Sequence, residues 1–341
     1  MAGKNLLIAA ALVILSACSD NMFSPNGTPG DGNGSASTFP APPLAPPVPV
    51  TGNPIDGASF WVNPVSDARL TADSWRATRP DDATQIDKIA SHAQAQWFTG
   101  WSGDIRRDVD ALVSAVTSAG AVPVLVAYNI PQRDCGKLSA GGATVYGYQA
   151  WISDFADGLA GRKSVVILEP DALANMDCLS AVDQTTRVNL LQYAVQVLRA
   201  QGGVVYLDGG NSSWRSASDQ AGRLNRANVA AADGFAVNVS GFQYTSSTIA
   251  YGKSISARIG GKHFVIDTSR NGLGPSADNA WCNPAGRALG AAPTTSTDDS
   301  VVDAYLWIKS PGESDGACRG APVAGAWWAD YALGLAQRSA L

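Results

Sequence analysis

The sequence predicts an α/β fold in which a mostly parallel sheet closes, or nearly closes, into a barrel. From residue 53 onward, short β-branched runs alternate with longer stretches of helical period, and alternation of that kind implies parallel strand pairing. Nearly every predicted strand also ends in polar residues that a core would reject, and a barrel brings such ends together on one face. The chain is long enough for it: 341 residues, 45% hydrophobic and 16% charged, permit one sizeable core or two smaller ones.

The first segment, 1–17, is predicted to be an export signal. Lys4 precedes an apolar run, 6–15, that is too short to span a bilayer, and Leu15-Ser16-Ala17-Cys18 resembles the lipobox of bacterial lipoproteins, in which the cysteine is acylated and becomes the new N-terminus. Cys18 is also the odd one in a set of five cysteines. Residues 18–52 then read as the lipidated cysteine and a Gly/Ser-rich, later Pro-rich spacer (FPAPPLAPPVPV) that holds the folded part, 53–341, away from the membrane.

Within 53–341, strands are predicted at 59–62, 95–98, 122–128, 164–169, 204–208, 235–239, 263–267 and 304–309. Helices are predicted at 104–119 and 183–200. In the second, Val188, Leu191, Val195 and Leu198 recur at helical spacing and Gly202-Gly203 follow as a stop. The polar strand ends are Tyr128 to Asp134, Glu169 with Asp171, Asp208 with Asn211, Asn238, Asp267 with Arg270, and Lys309 to Asp315.

Composition removes several functions. Asp and Glu total 29 against 24 Lys and Arg, a net charge of -5, so there is no basic footprint for nucleic acid. With two histidines, His92 and His263, and no carboxylate set at ligand spacing, no metal or other cofactor is expected, and a Ser-His-Asp triad has little to draw on. No P-loop, G-x-G-x-x-G or C-x-x-C occurs. Ten tryptophans are available as flat surfaces for stacking on sugar rings or as core fillers.

Two motifs carry paired carboxylates at strand ends. YNIPQRDC (128–135) leaves one strand through a proline turn into Asp134, and VVILEPDALAN (165–175) leaves the next through Glu169-Pro170-Asp171. A carboxyl pair is what glycosidic cleavage needs, one protonated to release the leaving oxygen and one ionised to activate water or attack the sugar.

Together with YLDGGNSSW, IDTSRNGLGP, WCNPAGRALG and LWIKSPGESDG, these motifs resemble, in order and over nearly the whole folded part, those of glycoside hydrolase family 6, the endoglucanases and cellobiohydrolases. The resemblance implies a distorted, incompletely closed parallel β/α barrel and inverting hydrolysis. It places the general acid on Asp171, a pKa-raising neighbour on Asp134, distortion of the cleaved sugar on Tyr128, and the catalytic base on Asp315. It implies substrate contacts at Trp61, Asp208, Trp214, Trp281, Asn238, Lys309 and Glu313, with Asp208 also supporting the charged cluster. Asn211 stands where many relatives carry His. The disulfides implied are Cys135 with Cys178 and Cys282 with Cys318, where the sequence alone allows three pairings of the four cysteines.

The partner expected is therefore a β-glucan, bound by a monomer that meets a membrane only through its lipid. The segments 208–238 and 282–318 are short for the family, which favours an open cleft and internal cleavage over a cellobiohydrolase tunnel. Two alternatives stand beside it: a glucan-binding lipoprotein without activity, against which the retention of both Asp134 and Asp171 counts, and a glucanase acting on another β-linked glucan such as mixed-linkage glucan.

Overall fold

A computed structural model describes residues 38–101 and 103–341. The export signal and Cys18 lie outside the described residues. Seven parallel strands form one sheet in sequential order: β1 (Gln96–Phe98), β2 (Val124–Ala127), β3 (Ser164–Leu168), β4 (Gly203–Asp208), β5 (Gly234–Val237), β6 (His263–Asp267) and β7 (Val302–Leu306). Each neighbour pair is joined through helix or long loop, as parallel pairing requires.

The strand interiors alternate as a curled sheet demands. Val126, Val165, Ile167, Val204, Tyr206, Val265, Ala304 and Leu306 fill the inside of the curl, while Leu125, Val166, Leu168, Val205, Leu207, Phe264 and Ile266 pack outward beneath the helices. The helices are α1 (Asp67–Trp75), α2 (Pro80–Ala90), α3 (Ile105–Ser118), α4 (Val145–Leu159), α5 (Ala181–Ala200), α6 (Ala217–Arg226), α7 (Thr245–Ser256) and α8 (Ala329–Gln337). Several start on a side-chain cap: Asp104 accepts from the Arg107 N–H, Thr144 from Gly147, Ser180 from Asp183 and Ser216 from Asp219. The two helices predicted from sequence fall on α3 and α5, and the stripe Val188, Leu191, Val195 and Leu198 is buried.

The eighth strand expected at 59–62 is reduced to a single bridge, Phe60 to Val122, where the Val122 N–H donates to the Ser59 carbonyl at 2.8 Å. Asn63 and Pro64 turn the chain away after it, so no ladder extends. The barrel thus stays open between β7 and β1, in line with the incompletely closed form expected. Two bonds draw the edges together: the Ala95 N–H donates to the Trp307 carbonyl at 2.9 Å, and Trp97 Nε1 to the Ile308 carbonyl at 2.7 Å. Residues of α1, α2 and α8 cluster around the buried Trp307 and cover that seam.

The Pro-rich part of the expected spacer does not behave as a spacer. Across 38–50, Phe39, Pro42, Ala45 and Val48 face the domain and the other positions are exposed, a period of three that matches a polyproline helix. Phe39 is buried, edge-on to Tyr193 at 5.8 Å. Four carbonyls of the segment accept side-chain donors: Phe39 from Asn189 at 2.8 Å, Pro43 from Gln196 at 2.7 Å, Ala45 from Asn228 at 3.2 Å and Val48 from Lys262 at 2.9 Å. The Val48 N–H returns a bond to Ala230. A polyproline strand has no internal hydrogen bonds, so its carbonyls are free to be taken this way. The strap also explains why α5 buries Asn189, a polar residue on what would otherwise be its solvent face.

Candidate active site

The C-terminal strand ends converge on one face. The loop after β2, 128–144, is the most organised. Arg133 lies over the Tyr128 ring at 4.7 Å and donates to the carbonyls of Tyr128 at 2.7 Å, Ser139 at 2.8 Å and Ala140 at 3.2 Å, drawing the loop into a compact turn. Gly142 adopts φ +96° and packs so closely on the Ile130 carbonyl that any Cβ would collide with it. The Tyr128 hydroxyl bonds Ser139 Oγ at 2.9 Å, and Ser139 donates its N–H and hydroxyl to Asp134 Oδ2 at 3.0 and 2.9 Å. Gln132, Asp134 and Cys135 all lie in the left-handed region, φ 52° to 54°, so the turn that presents Asp134 is held against a local cost.

The next strand ends in the same manner. Glu169 and Asp171 have φ 50° and 71° on either side of Pro170. The Asp171 N–H donates to Asp208 Oδ2 at 3.0 Å, and Gly210 donates to the same oxygen. Asp208 is 2% exposed beneath Asp171, and its Oδ1 has no partner. Burial raises the Asp171 carboxyl most, followed by repulsion from Asp208 and Asp134 and, after an opposing effect of Lys137, from Asp315. Three carboxylates contributed by three other strand ends therefore act on Asp171. Burial likewise raises Asp208, against the two N–H bonds it accepts.

Asp315 is treated differently. Its Oδ2 takes the guanidinium of fully buried Arg270 at 2.9 Å and the Asn283 N–H at 2.9 Å, and Asn283 Oδ1 accepts the Asp315 N–H in return. Arg270 is itself stacked on Phe242 at 4.4 Å. This carboxylate has a cation beside it where Asp171 has anions.

Trp214 and Trp281 are 37% and 56% exposed on the loops after β4 and β6, whereas Trp61 lines a cavity of about 200 Å³ with Glu313 and Trp327 on one side and Leu112 of α3 and Gln96 and Val124 of β1 and β2 on the other, a cavity that neither Asp171 nor Asp315 enters. Lys309 donates to Glu313 at 3.3 Å near the same cavity, and its N–H is held by Asp267. The exposed indoles of Trp214 and Trp281 are surfaces on which sugar rings can stack. Two residues expected to touch substrate lie below the surface instead. Asn238 is fully buried, its Oδ1 accepting the Gln243 N–H and its Nδ2 donating to the Asp267 carbonyl, and Asp208 sits under Asp171. Neither side chain is open to a ligand. Asn211 accepts from the N–H and hydroxyl of Ser213 in a local turn.

Both disulfides are present as expected. Cys135–Cys178 ties the loop of Asp134 to the segment after Asp171, and Cys282–Cys318 closes the loop that carries Asp315. Sequence reading did not single out Ser139, and it gave Asp267 and Arg270 no role beyond their place among the polar strand ends. Arg270 stood among the polar strand ends, but only packing shows that its guanidinium reaches Asp315. Asp267 accepts the N–H groups of Ser240, Ser269, Ile308 and Lys309 and so joins the ends of β5, β6 and β7.

Comparison with known proteins agrees with this geometry. A family model described as Glycosyl hydrolases family 6 matches residues 55–339. The chain is 43% identical over 285 residues to endoglucanase A of Cellulomonas fimi, covering 83% of this chain and 62% of that one. It spans a similar 62% of endoglucanase A of Thermobispora bispora, at 43% identity and 82% of this chain. Among solved structures, it is similar to the endoglucanase Cel6 of Mycobacterium tuberculosis, in complex with methyl-cellobiosyl-4-deoxy-4-thio-β-D-cellobioside, at TM-score 0.80 and 44% identity, covering 84% of this chain and 99% of that one.

Proposed function

The chain belongs to the glycosyl hydrolases of family 6, and on that footing we propose that it is an exported endoglucanase that cuts the β-1,4 bonds of cellulose with inversion at the anomeric carbon. The observation that carries this reading is the contrast between Asp171, raised by burial and by neighbouring carboxylates, and Asp315, paired with Arg270. Asp171 enters the reaction protonated and delivers its proton to the glycosidic oxygen as the bond breaks. Water attacks the opposite face of the sugar and gives its proton toward Asp315, whose Oδ2 is occupied by Arg270 and Asn283. Tyr128 and Asp134, linked through Ser139, line the cleavage point. Trp61, Trp214 and Trp281 stack the sugar rings, Lys309 and Glu313 hold the cavity end, and Asp208 and Asn238 keep the loops in place from below.

Internal cleavage is favoured because Trp214 and Trp281 stand exposed rather than roofed, and because the relatives compared above are named endoglucanases. A cellobiohydrolase or a mixed-linkage glucanase on the same fold is the second reading. We further infer that the domain is exported and tethered by a lipid on Cys18, with the signal at 1–17 and the catalytic part from residue 53 onward. Two disulfides support an oxidising compartment.

Cello-oligosaccharides and soluble cellulose derivatives test the proposal directly. Proton NMR of early products should show the α anomer first, and the viscosity of the soluble polymer should drop well before reducing ends accumulate. Appearance of the β anomer first, or a glycosyl ester trapped on any carboxylate, overturns the inverting mechanism and the role of Asp315.

A further inference from the structure

We propose that Glu169 and Arg187 form a buried clamp that positions the general acid, a reading that rests on the assignment of that acid to Asp171. The two side chains bracket the same pair of loops from opposite chemical sides. Glu169, 1% exposed, accepts the N–H groups of Asn129, on both carboxylate oxygens, and of Ile130, all at 3.0 Å. Arg187, on α5 and 3% exposed, donates to the carbonyls of Pro131 at 2.6 Å, Gln132 at 3.0 Å and Ala172 at 3.1 Å. One residue therefore gathers the donors of the turn that leads to Asp134, and the other gathers its acceptors together with a carbonyl one residue past Asp171.

Geometry makes the clamp necessary. Both turns carry left-handed non-glycine residues, Gln132 and Asp134 in one, Glu169 and Asp171 in the other. Such conformations persist only where the surroundings over-determine them. The disulfide Cys135–Cys178 joins the far ends of the two loops, and in the stretch between strand end and disulfide, where Asp171 must be aimed, Glu169 and Arg187 grip both loops while Asp208 holds the Asp171 N–H. Neither touches the cleft, so both are positioning residues rather than catalytic ones. A buried carboxyl and a buried guanidinium are costly unless their hydrogen bonds are made, and here each is matched to several backbone groups.

Loss of the clamp should misplace the proton donor while leaving sugar binding intact. Glu169→Gln turns the acceptor that shares the Asn129 N–H into a donor facing it, and Arg187→Lys keeps the charge but cannot reach three carbonyls in two directions. We expect kcat on cellotetraose to fall by about tenfold or more with KM changed by less than about threefold, and turnover of dinitrophenyl β-cellobioside, whose leaving group needs no proton, to be nearly spared. Arg187→Lys should show the same pattern more weakly, and it decides the matter if Glu169→Gln does not fold. Melting temperature and circular dichroism establish that the proteins compared are folded. If both substrates lose rate in the same proportion, or neither does, the clamp is overturned. Asp171→Asn is run alongside: a flat leaving-group response there would sink the assignment of the acid itself, while the expected response there with none in the clamp variants sinks only this proposal.

Discussion

Asp134→Asn should move the alkaline limb of catalysis to lower pH. Asp171 is pushed up to about 8, first by burial, then by Asp208, then by Asp134, so the rate on unmodified glucan should decline from about pH 8 upward as its proton is lost. Two like charges some 4–6 Å apart at an effective dielectric near 20 repel by about 3–4 kcal/mol, which sets a ceiling of roughly two to three pH units. Asp134 ranks third among the causes and the cleft admits solvent, so a displacement of about one pH unit, equivalent to ~1.4 kcal/mol, is expected. Deleting a neighbouring negative charge favours the ionised form of Asp171, so the proton leaves at lower pH and the midpoint falls toward about 7. The substitution is nearly isosteric, and the amide oxygen it introduces can still accept the N–H and hydroxyl of Ser139 that bind Asp134 Oδ2 at 3.0 and 2.9 Å. The assay is kcat on cellotetraose from roughly pH 5 to 10, with dinitrophenyl β-cellobioside as the control that needs no proton. A variant that loses rate uniformly, with its alkaline midpoint within about 0.3 units of the parent, would refute the electrostatic role of Asp134.

Asp171→Asn should cost about a hundred- to ten-thousandfold in kcat on unmodified chains and far less on the dinitrophenyl substrate, measured in the same assay. Phe39→Ala, by emptying a buried aromatic site and loosening the strap from α5, should lower stability by about 1–3 kcal/mol, short of the usual cost for a buried Phe because the strap can detach as a unit. Thermal unfolding should record that as a drop of several degrees at unchanged kcat, and an unchanged melting temperature would mean the strap contributes nothing. Removing the Cys282–Cys318 bridge by Cys282→Ser with Cys318→Ser should destabilise by about 2–4 kcal/mol and reduce kcat through Asp315, as seen by calorimetry and steady-state rates. Cys18→Ala should release the protein from membranes without altering the specific activity of the soluble domain. Mass spectrometry showing an unmodified mature N-terminus other than Cys18 in the parent would rule the anchor out.

Much of this architecture was legible in the sequence because it is local. Alternating strand and helix signals marked every strand of the sheet, and the helices expected at 104–119 and, before the stop at Gly202, at 183–200 match α3 and α5 within a residue or two. The motifs around Asp134, Asp171 and Asp315 were visible because strand ends and the turns after them are contiguous in the chain. What escaped is what depends on approach from elsewhere. Segment 59–62 has the composition of a strand, yet a strand exists only if a neighbour supplies a ladder, and one bridge to Val122 is all that the closure geometry leaves. Asn238 and Asp208 are polar residues at strand ends, indistinguishable in sequence from those that face the cleft, and only the curl of the sheet turned them beneath it. The Pro-rich stretch 38–50 looked like a spacer because a polyproline helix satisfies none of its own carbonyls. Asn189, Gln196, Asn228 and Lys262 satisfy them from up to 214 residues away. The sequence determined which carboxylates could do the chemistry; the tertiary structure decided which of them is surrounded by anions and which by Arg270, because a carboxyl's protonation depends on charges and burial brought to it by other parts of the chain.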